Sequence, residues 1–253
     1  MSEAELEETL KGLSPVQREA VLHGEGPLLV VVDGRDVCPI CKEATHEIKE
    51  STVTKAEAAS LEDTLRGLAN PFVPRDISML CVAHCVCGKA KSAARSTMQR
   101  SGDFSSAASG YLTPPYATFN SSEQVLAKIK AATSDKAGFD GAVKIAKARR
   151  AAFMKRQETE PGEAPQVNVP GTCAAPRAVV LLLENGGLPG SLSERWCGSE
   201  TMANPVEHFD ETSGTRERVT NRVFSYGDSV PPCLACDVLL PFLVCDKDKV
   251  CHA

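Results

Sequence analysis

The sequence predicts an α/β protein, with α+β character at its N-terminus, built on a small mixed sheet whose flanking helices begin at cysteines. Three observations predict it. Cys173 opens an apolar run (Val179 to Leu183) that Asn185-Gly186-Gly187 closes, the pattern of a buried helix with a glycine stop. Pro231-Pro232 precede Cys233 and a second apolar run to Leu240, so another helix starts there. Short β-prone stretches at 194–197, 221–226 and 242–245 alternate with these helices, which suits a layered α/β unit.

From the start of the chain, residues 2–12 read as an acidic helix. Ser14-Pro15-Val16-Gln17 is a second helix start, with Ser14 as N-cap, Pro15 in the first turn and Gln17 reaching back. Gly24 ends it, and Pro27 to Val32 reads as a short buried strand. The run from Leu13 to Val32 resembles the opening segment of superfamily-1 helicases, which leads into a phosphate loop. Asp33-Gly34-Arg35-Asp36-Val37-Cys38 follows it instead, with no Gly-Lys-Ser/Thr. The phosphate cradle and its lysine are missing, which excludes an ATPase of that kind.

Lys55 to Leu68 reads as a helix, and Lys89 to Arg100 as a basic helix rich in alanine. Residues 101–122 are rich in Ser, Gly and Ala and carry Pro114-Pro115, so they form a loop or lid. Ser121-Ser122-Glu123 starts another helix, and Phe139 to Gln157 is a long basic one. Pro161, Pro165 and Pro170 mark a connection, and 204–220 reads as a long loop. The expected organisation is a cysteine-rich helical region (1–100), a loop with basic helices (101–165) and a metal domain (166–253).

Composition narrows the class. Hydrophobic residues make up 42% of the chain, enough for a real core, and no run of about 18 apolar residues offers a membrane span. Aromatic residues make up 5%, which argues against a broad base-stacking platform. Met1-Ser2-Glu3-Ala4-Glu5 is acidic and unlike a secretory signal. Eleven cysteines without such a signal are expected to be thiols and metal ligands in the cytoplasm, not a disulfide framework. Cys197, Cys245 and Cys251 are expected to be plain buried thiols. Residues 87–156 hold thirteen Lys or Arg against four Asp or Glu, although the whole chain carries −5. That segment is either a surface that meets phosphates or a solvated helical face.

Two cysteine constellations carry chemistry. Cys233-Leu234-Ala235-Cys236 places two sulfurs at a helix start, where partial positive charge favours thiolates. A tetrahedral zinc site needs at least one more protein ligand, and Cys173 is the best candidate. Cys38-Pro39-Ile40-Cys41 is a knuckle that presents two thiolates to one ion. With Cys81 and one or two of His84, Cys85 and Cys87, it would make a closed, structural zinc site. His46 is a substitute ligand there. Buried thiols or a redox pair are the alternatives.

The motifs Cys173-Ala174-Ala175 and Pro232-Cys233-Leu234-Ala235-Cys236 resemble those of the zinc-dependent nucleoside and nucleic-acid deaminases, in particular the bacterial toxin-like branch with a Cys-x-Glu motif. The resemblance covers about residues 165–253. It implies a deaminase-like fold and a zinc ion on Cys173, Cys233 and Cys236. It also implies a nucleic acid or nucleotide substrate and, for the toxin-like branch, an immunity or other protein partner. One departure stands out: the proton-shuttling glutamate falls at position 175, where this chain has Ala175. Either the natural chain lacks it or it has been replaced.

Hydrolytic deamination needs an activated water and a carboxylate that moves protons, and alanine cannot move them. Glu194 and Glu200 lie between the two motif halves and are the candidates to stand in. His208 is a candidate base-contacting group. The competing readings are a non-catalytic zinc-binding interaction protein, in which Ala175 is native, and a thiol oxidoreductase using Cys233 and Cys236. The second lacks the βαβ pattern such proteins show.

Overall fold

The computed structural model describes residues 40, 48, 50–67, 78–96, 104–105, 107–197, 201–210, 217–245 and 251–252. The elements expected over 2–32, and Cys38, Cys41, His46 and Glu200, lie outside the described residues. Those residues form a mixed α/β structure of six helices, a three-stranded sheet and a two-stranded ribbon. No helix among them is long and apolar enough to cross a membrane.

Helix α1 (Thr52–Gly67) leads to strands β1 (Ser78–Cys85) and β2 (Lys91–Arg95). Helices α2 (Tyr116–Phe119), α3 (Ser122–Ala132) and α4 (Lys136–Thr159) follow, then α5 (Ala174–Glu184) and β3 (Pro189–Cys197). The ribbon strands β4 (His208–Asp210) and β5 (Glu217–Val219) precede the last helix, α6 (Leu234–Val244). The sheet order is β2-β1-β3, and every pairing is antiparallel, not mixed as the sequence suggested. A tight turn between β1 and β2 leaves no length for a parallel crossover.

Alternation along β1 decides what each face of the sheet touches. Met79, Cys81, Ala83 and Cys85 face α5, together with Ala94 and Trp196. Leu80, Val82 and Ala93 face α1 through Ala58 and Leu61. Both faces are covered, so the sheet core is dry. Beyond α5 a larger core gathers Ile129 of α3, Phe139 and Ile145 of α4, and Leu239, Phe242 and Leu243 of α6. Helix α5 therefore sits between two cores, and Ala174 through Leu182 are all buried. Helix α3 has the capping box its Ser121 and Gln124 allow.

Three expectations fail for physical reasons. Lys91–Arg95, expected to be helical, is a strand. Its Ser92, Ala93 and Ala94 are small enough to lie between helices on both faces, and the Ser92 hydroxyl donates to Ala178 O at 2.7 Å. Tertiary packing here overrides helix propensity. Residues 242–245 are not a strand: α6 runs on to Val244 through Pro241, because Leu239, Phe242 and Leu243 recur at helical spacing on its buried side. Residues 221–226 are irregular, and the β4–β5 ribbon falls inside the expected loop at 204–220.

Candidate metal centre

Cys173 is the N-cap residue of α5, and Cys233 is the N-cap residue of α6. Cys236 follows in the first turn of α6. The two helices converge on one point, where the Sγ atoms of Cys173, Cys233 and Cys236 lie within 4.8 Å of one another, all buried. Cys173 and Cys233 stand 3.7 Å apart. Thiolates about 2.3 Å from a tetrahedral ion stand about 3.8 Å from each other, which the Cys173–Cys233 separation matches.

Helix packing holds the convergence in place. The Phe139 ring of α4 meets Phe242 of α6 edge-on, with centroids 5.7 Å apart. Arg149 of α4 donates to Leu234 O at 2.8 Å and pairs with Asp237 at 3.2 Å, in the first turn of α6. Burial pushes the Asp237 carboxyl up to about 6, against the pull of Arg149.

The local electrostatics also suit a cation. Neither N-cap cysteine caps its helix with its side chain, yet both place their sulfurs at helix starts, where partial positive charge favours thiolates. Cys233 is held well below the usual thiol range, first by hydrogen bonds from Cys173 and Cys236 and also by the Asn168 backbone N–H. The same hydrogen bonding to Cys233 pushes Cys173 up, and contacts with Cys173 and Cys233 push Cys236 up. Asn168 Nδ2 also donates to Cys173 Sγ at 3.4 Å, and Gln166 Nε2 fixes that amide by donating to Asn168 Oδ1 at 2.8 Å. Such outer contacts orient metal ligands. Nothing in the linear sequence marks Asn168, which lies five residues before Cys173 in a proline-rich connection.

Ala175, the position implied for a glutamate, is fully buried between α5 and the sheet. Its backbone N–H donates to Glu194 Oε1 at 3.0 Å. Glu194 comes from β3, opposite Cys81, and is buried. Its carboxyl therefore lies at the start of α5, bonded to the chain two residues from Cys173, and supplies the cap that Cys173 does not. Burial pushes it up to about 8, with the negative Cys233 adding to the rise and the Ala175 N–H opposing it.

The other expected site residues are spread out. Cys81 and Cys85 lie on the α5 face of β1, but four residues of strand separate them by about 13 Å. His84 points to the other face, where its Nε2 meets Glu57 at 2.9 Å. The structure thus keeps Cys81, His84 and Cys85 apart. Cys85 instead gathers with Cys87 and Cys251, whose three Sγ atoms also lie within 4.8 Å of one another. Cys251 is therefore not the plain buried thiol expected, whereas Cys245 is buried and burial holds Cys197 up at about 12. The His208 ring packs on Phe224 at 5.6 Å, and its Nδ1 lies 2.9 Å from Val206 O.

Much of the basic character at 87–156 is used internally. Lys91 pairs with Glu57, Lys128 with Glu184, Lys130 with Asp140 and Arg156 with Glu160, while Arg150 donates to Val167 O. Comparison with known protein families, with curated proteins and with solved structures finds no match to the chain. Fold and geometry alone therefore carry the functional reading.

Proposed function

We propose that this chain is a zinc-dependent hydrolytic deaminase of a nucleobase, with cytosine the first base to test, and that Glu194 does the proton work implied for position 175. Glu194 is the observation that carries the reading. Burying a carboxyl costs more than the helix cap it makes at Ala175 returns, which supports a second, chemical use for it. Here one lies against the first turn of α5, at the backbone of the residue where the resemblance calls for a glutamate.

Cys173, Cys233 and Cys236 are the residues that would hold zinc, and among the described residues their cluster has no fourth cysteine, histidine or carboxylate ligand. The ion supplies Lewis acidity and, at its open position, a water that ionises near neutrality. Everything else falls to the chain. Glu194 accepts a proton from the attacking water as the new carbon–oxygen bond forms, and gives it to the ring nitrogen. It then moves the second proton to the exocyclic amine, the carbon–nitrogen bond breaks, and ammonia leaves. Water plus aminopyrimidine becomes oxopyrimidine plus ammonia, and the carboxylate returns to its starting state. A carboxyl held at about 8 exchanges its proton close to working pH, as such a relay requires. Asn168 and Gln166 orient the thiolates. The internal pairing of the basic segment favours a nucleotide or a short strand over a long duplex.

The test is ammonia release from cytidine, cytidine nucleotides and cytosine oligonucleotides by the zinc-loaded chain, beside Glu194→Gln. Glutamine can still accept the Ala175 N–H but cannot relay a proton. Turnover should fall by about 10²–10⁴-fold with zinc content and far-UV circular dichroism unchanged. Equal turnover in both proteins would remove Glu194 from the mechanism. Silence of the parent protein across these bases, with zinc bound, would leave the non-catalytic zinc-binding reading in its place.

A further inference from the structure

The second thiol cluster lies on the opposite side of α5 from the first and takes no part in the proposed reaction. Cys85 ends β1 and Cys87 sits in the turn to β2. Cys251 comes from near the C-terminus, 166 residues away from Cys85 in sequence. Cys85 Sγ is 3.3 Å from Cys251 Sγ and 3.3 Å from Cys87 Sγ. Cys85 is buried, Cys251 half-buried and Cys87 exposed, so the cluster reaches from the sheet core to solvent.

Backbone geometry around the sulfurs resembles that of a ligand turn more than a chance contact. Leu188 N–H donates to Cys85 Sγ at 3.2 Å. The N–H groups of Lys89 and Ala90 point at Cys87 Sγ, because Gly88 takes a positive φ of 73° and folds the turn back over it. N–H groups aimed at a sulfur favour the thiolate, the form that binds metals. Those contacts, the Lys89 N–H first, bring Cys87 down to about 7. Gly187 allows the α5–β3 turn to approach, since a Cβ there would stand 3.2 Å from Cys85 Sγ. The 251–252 segment is independently docked, with His252 N–H donating to Gly186 O at 2.7 Å.

We propose that Cys85, Cys87 and Cys251 form a second site for a thiophilic cation of the zinc class, open to solvent, which fastens residues 251–252 to the β1–β2 turn. Three thiolates with one solvent-facing position make a site that exchanges its ion readily, unlike a fully buried one. The Cys85–Cys87 and Cys85–Cys251 pairs both need to open from 3.3 Å to about 3.8 Å, and the exposed Cys87 and half-buried Cys251 can supply that movement. Binding releases the remaining thiol protons to water.

The experiment uses the full chain, purified with reductant, loaded with zinc and freed of excess. Zinc per chain is measured by mass spectrometry, and its transfer to a chelating dye is followed in time. The parent protein should carry about two zinc ions, one transferred fast and one slowly. Cys251→Ser and Cys87→Ser should each remove the fast ion alone, and Cys233→Ser the slow one alone. Cys87 is exposed and Cys251 only half-buried at the edge of the sheet core, and serine is close in size to cysteine, so these variants test the site with little change to the packing. One zinc per chain in both the parent protein and Cys251→Ser would overturn the proposal. So would two ions in Cys251→Ser, or an apo chain lighter by two hydrogens with Cys85 bonded to Cys251 and no zinc uptake at the fast site. Neither result touches the Cys173 site, whose own failure would show as loss of the slow ion.

Discussion

The two thiol triads have the same donor atoms and opposite settings. Cys173, Cys233 and Cys236 are buried where two helices begin, with a buried carboxyl nearby. Cys85, Cys87 and Cys251 span from sheet to solvent, held by a turn and a chain end. What separates them is the company the sulfurs keep. Helix starts and an enclosed acid give the first triad the means for chemistry. Backbone N–H groups and an open face give the second the means to grip an ion and release it. Counting cysteines does not distinguish the two, whereas locating carboxyls does.

The largest effect expected from this contrast is catalytic, the loss on Glu194→Gln. A relocation sharpens it. In the double variant Ala175→Glu/Glu194→Ala, a carboxyl returns to α5 and leaves β3. The double variant should recover at least about tenfold in turnover over Glu194→Ala alone, read by ammonia release at equal zinc content. If it recovers nothing, the place of the carboxyl matters more than its presence.

Next in size is metal removal. Zinc at about a thousand times its Kd stabilises the folded chain by roughly 4 kcal/mol per site. Chelation of the parent protein should therefore lower its urea midpoint strongly. Cys173→Ser should lose most of that response, because α5 and α6 both lean on the buried ion. Cys251→Ser should keep most of it, since the solvent-open site holds its ion more weakly and the same free zinc lies fewer-fold above its Kd. Equal responses in the two variants would erase the distinction drawn between the triads.

Ala175→Glu alone comes third. Position 175 is fully buried and its N–H already holds Glu194, so a second carboxyl there is buried close to the first. The substitution should cost about 2–4 kcal/mol in urea unfolding. Adding Glu194→Ala should recover part of it, a non-additive pair in a double-mutant cycle. Additivity would mean the two side chains do not share that space.

The sequence made the first triad legible because its motifs are local. Cys233 and Cys236 have two residues between them, a proline pair marks the helix start, and Cys173 heads an unmistakable apolar run. In the sequence Glu194 and Glu200 are equal candidates to stand in, and strand register sets Glu194 opposite Cys81 with its carboxyl on the Ala175 N–H. Register is a long-range property that no local pattern encodes. Cys251 was misjudged for the same reason, since its partners are far off in sequence. Lys91–Arg95 and Pro241 failed differently: each has a strong local preference, and packing on both sides of a strand or along a helix outweighs it. Antiparallel pairing of β1 with β3 was equally hidden, though the helices around them were largely visible.

The smallest effect is also the most direct comparison of the two sites, and it needs no substrate. In the metal-free protein Cys87 is exposed and titrates at about 7, so its thiolate fraction rises from little at pH 6 to most at pH 8. Cys173 and Cys236 are buried and pushed up, as is Cys81, chiefly by burial. Thiolate is the species that reacts. Alkylation with iodoacetamide, mapped by peptide mass spectrometry, should therefore label Cys87 first, with a rate that climbs through pH 7 and flattens above it. Cys81, Cys173 and Cys236 should stay unlabelled until the chain is unfolded. Stoichiometric zinc should slow Cys87 labelling at pH 8, and Cys251→Ser should abolish that protection while leaving the unprotected rate within a few-fold. A Cys87 rate that ignores zinc would mean the surface triad does not hold the ion. Rapid labelling of Cys173 at pH 7 would mean the helix starts do not enclose their sulfurs, and the contrast between the sites would fall with it.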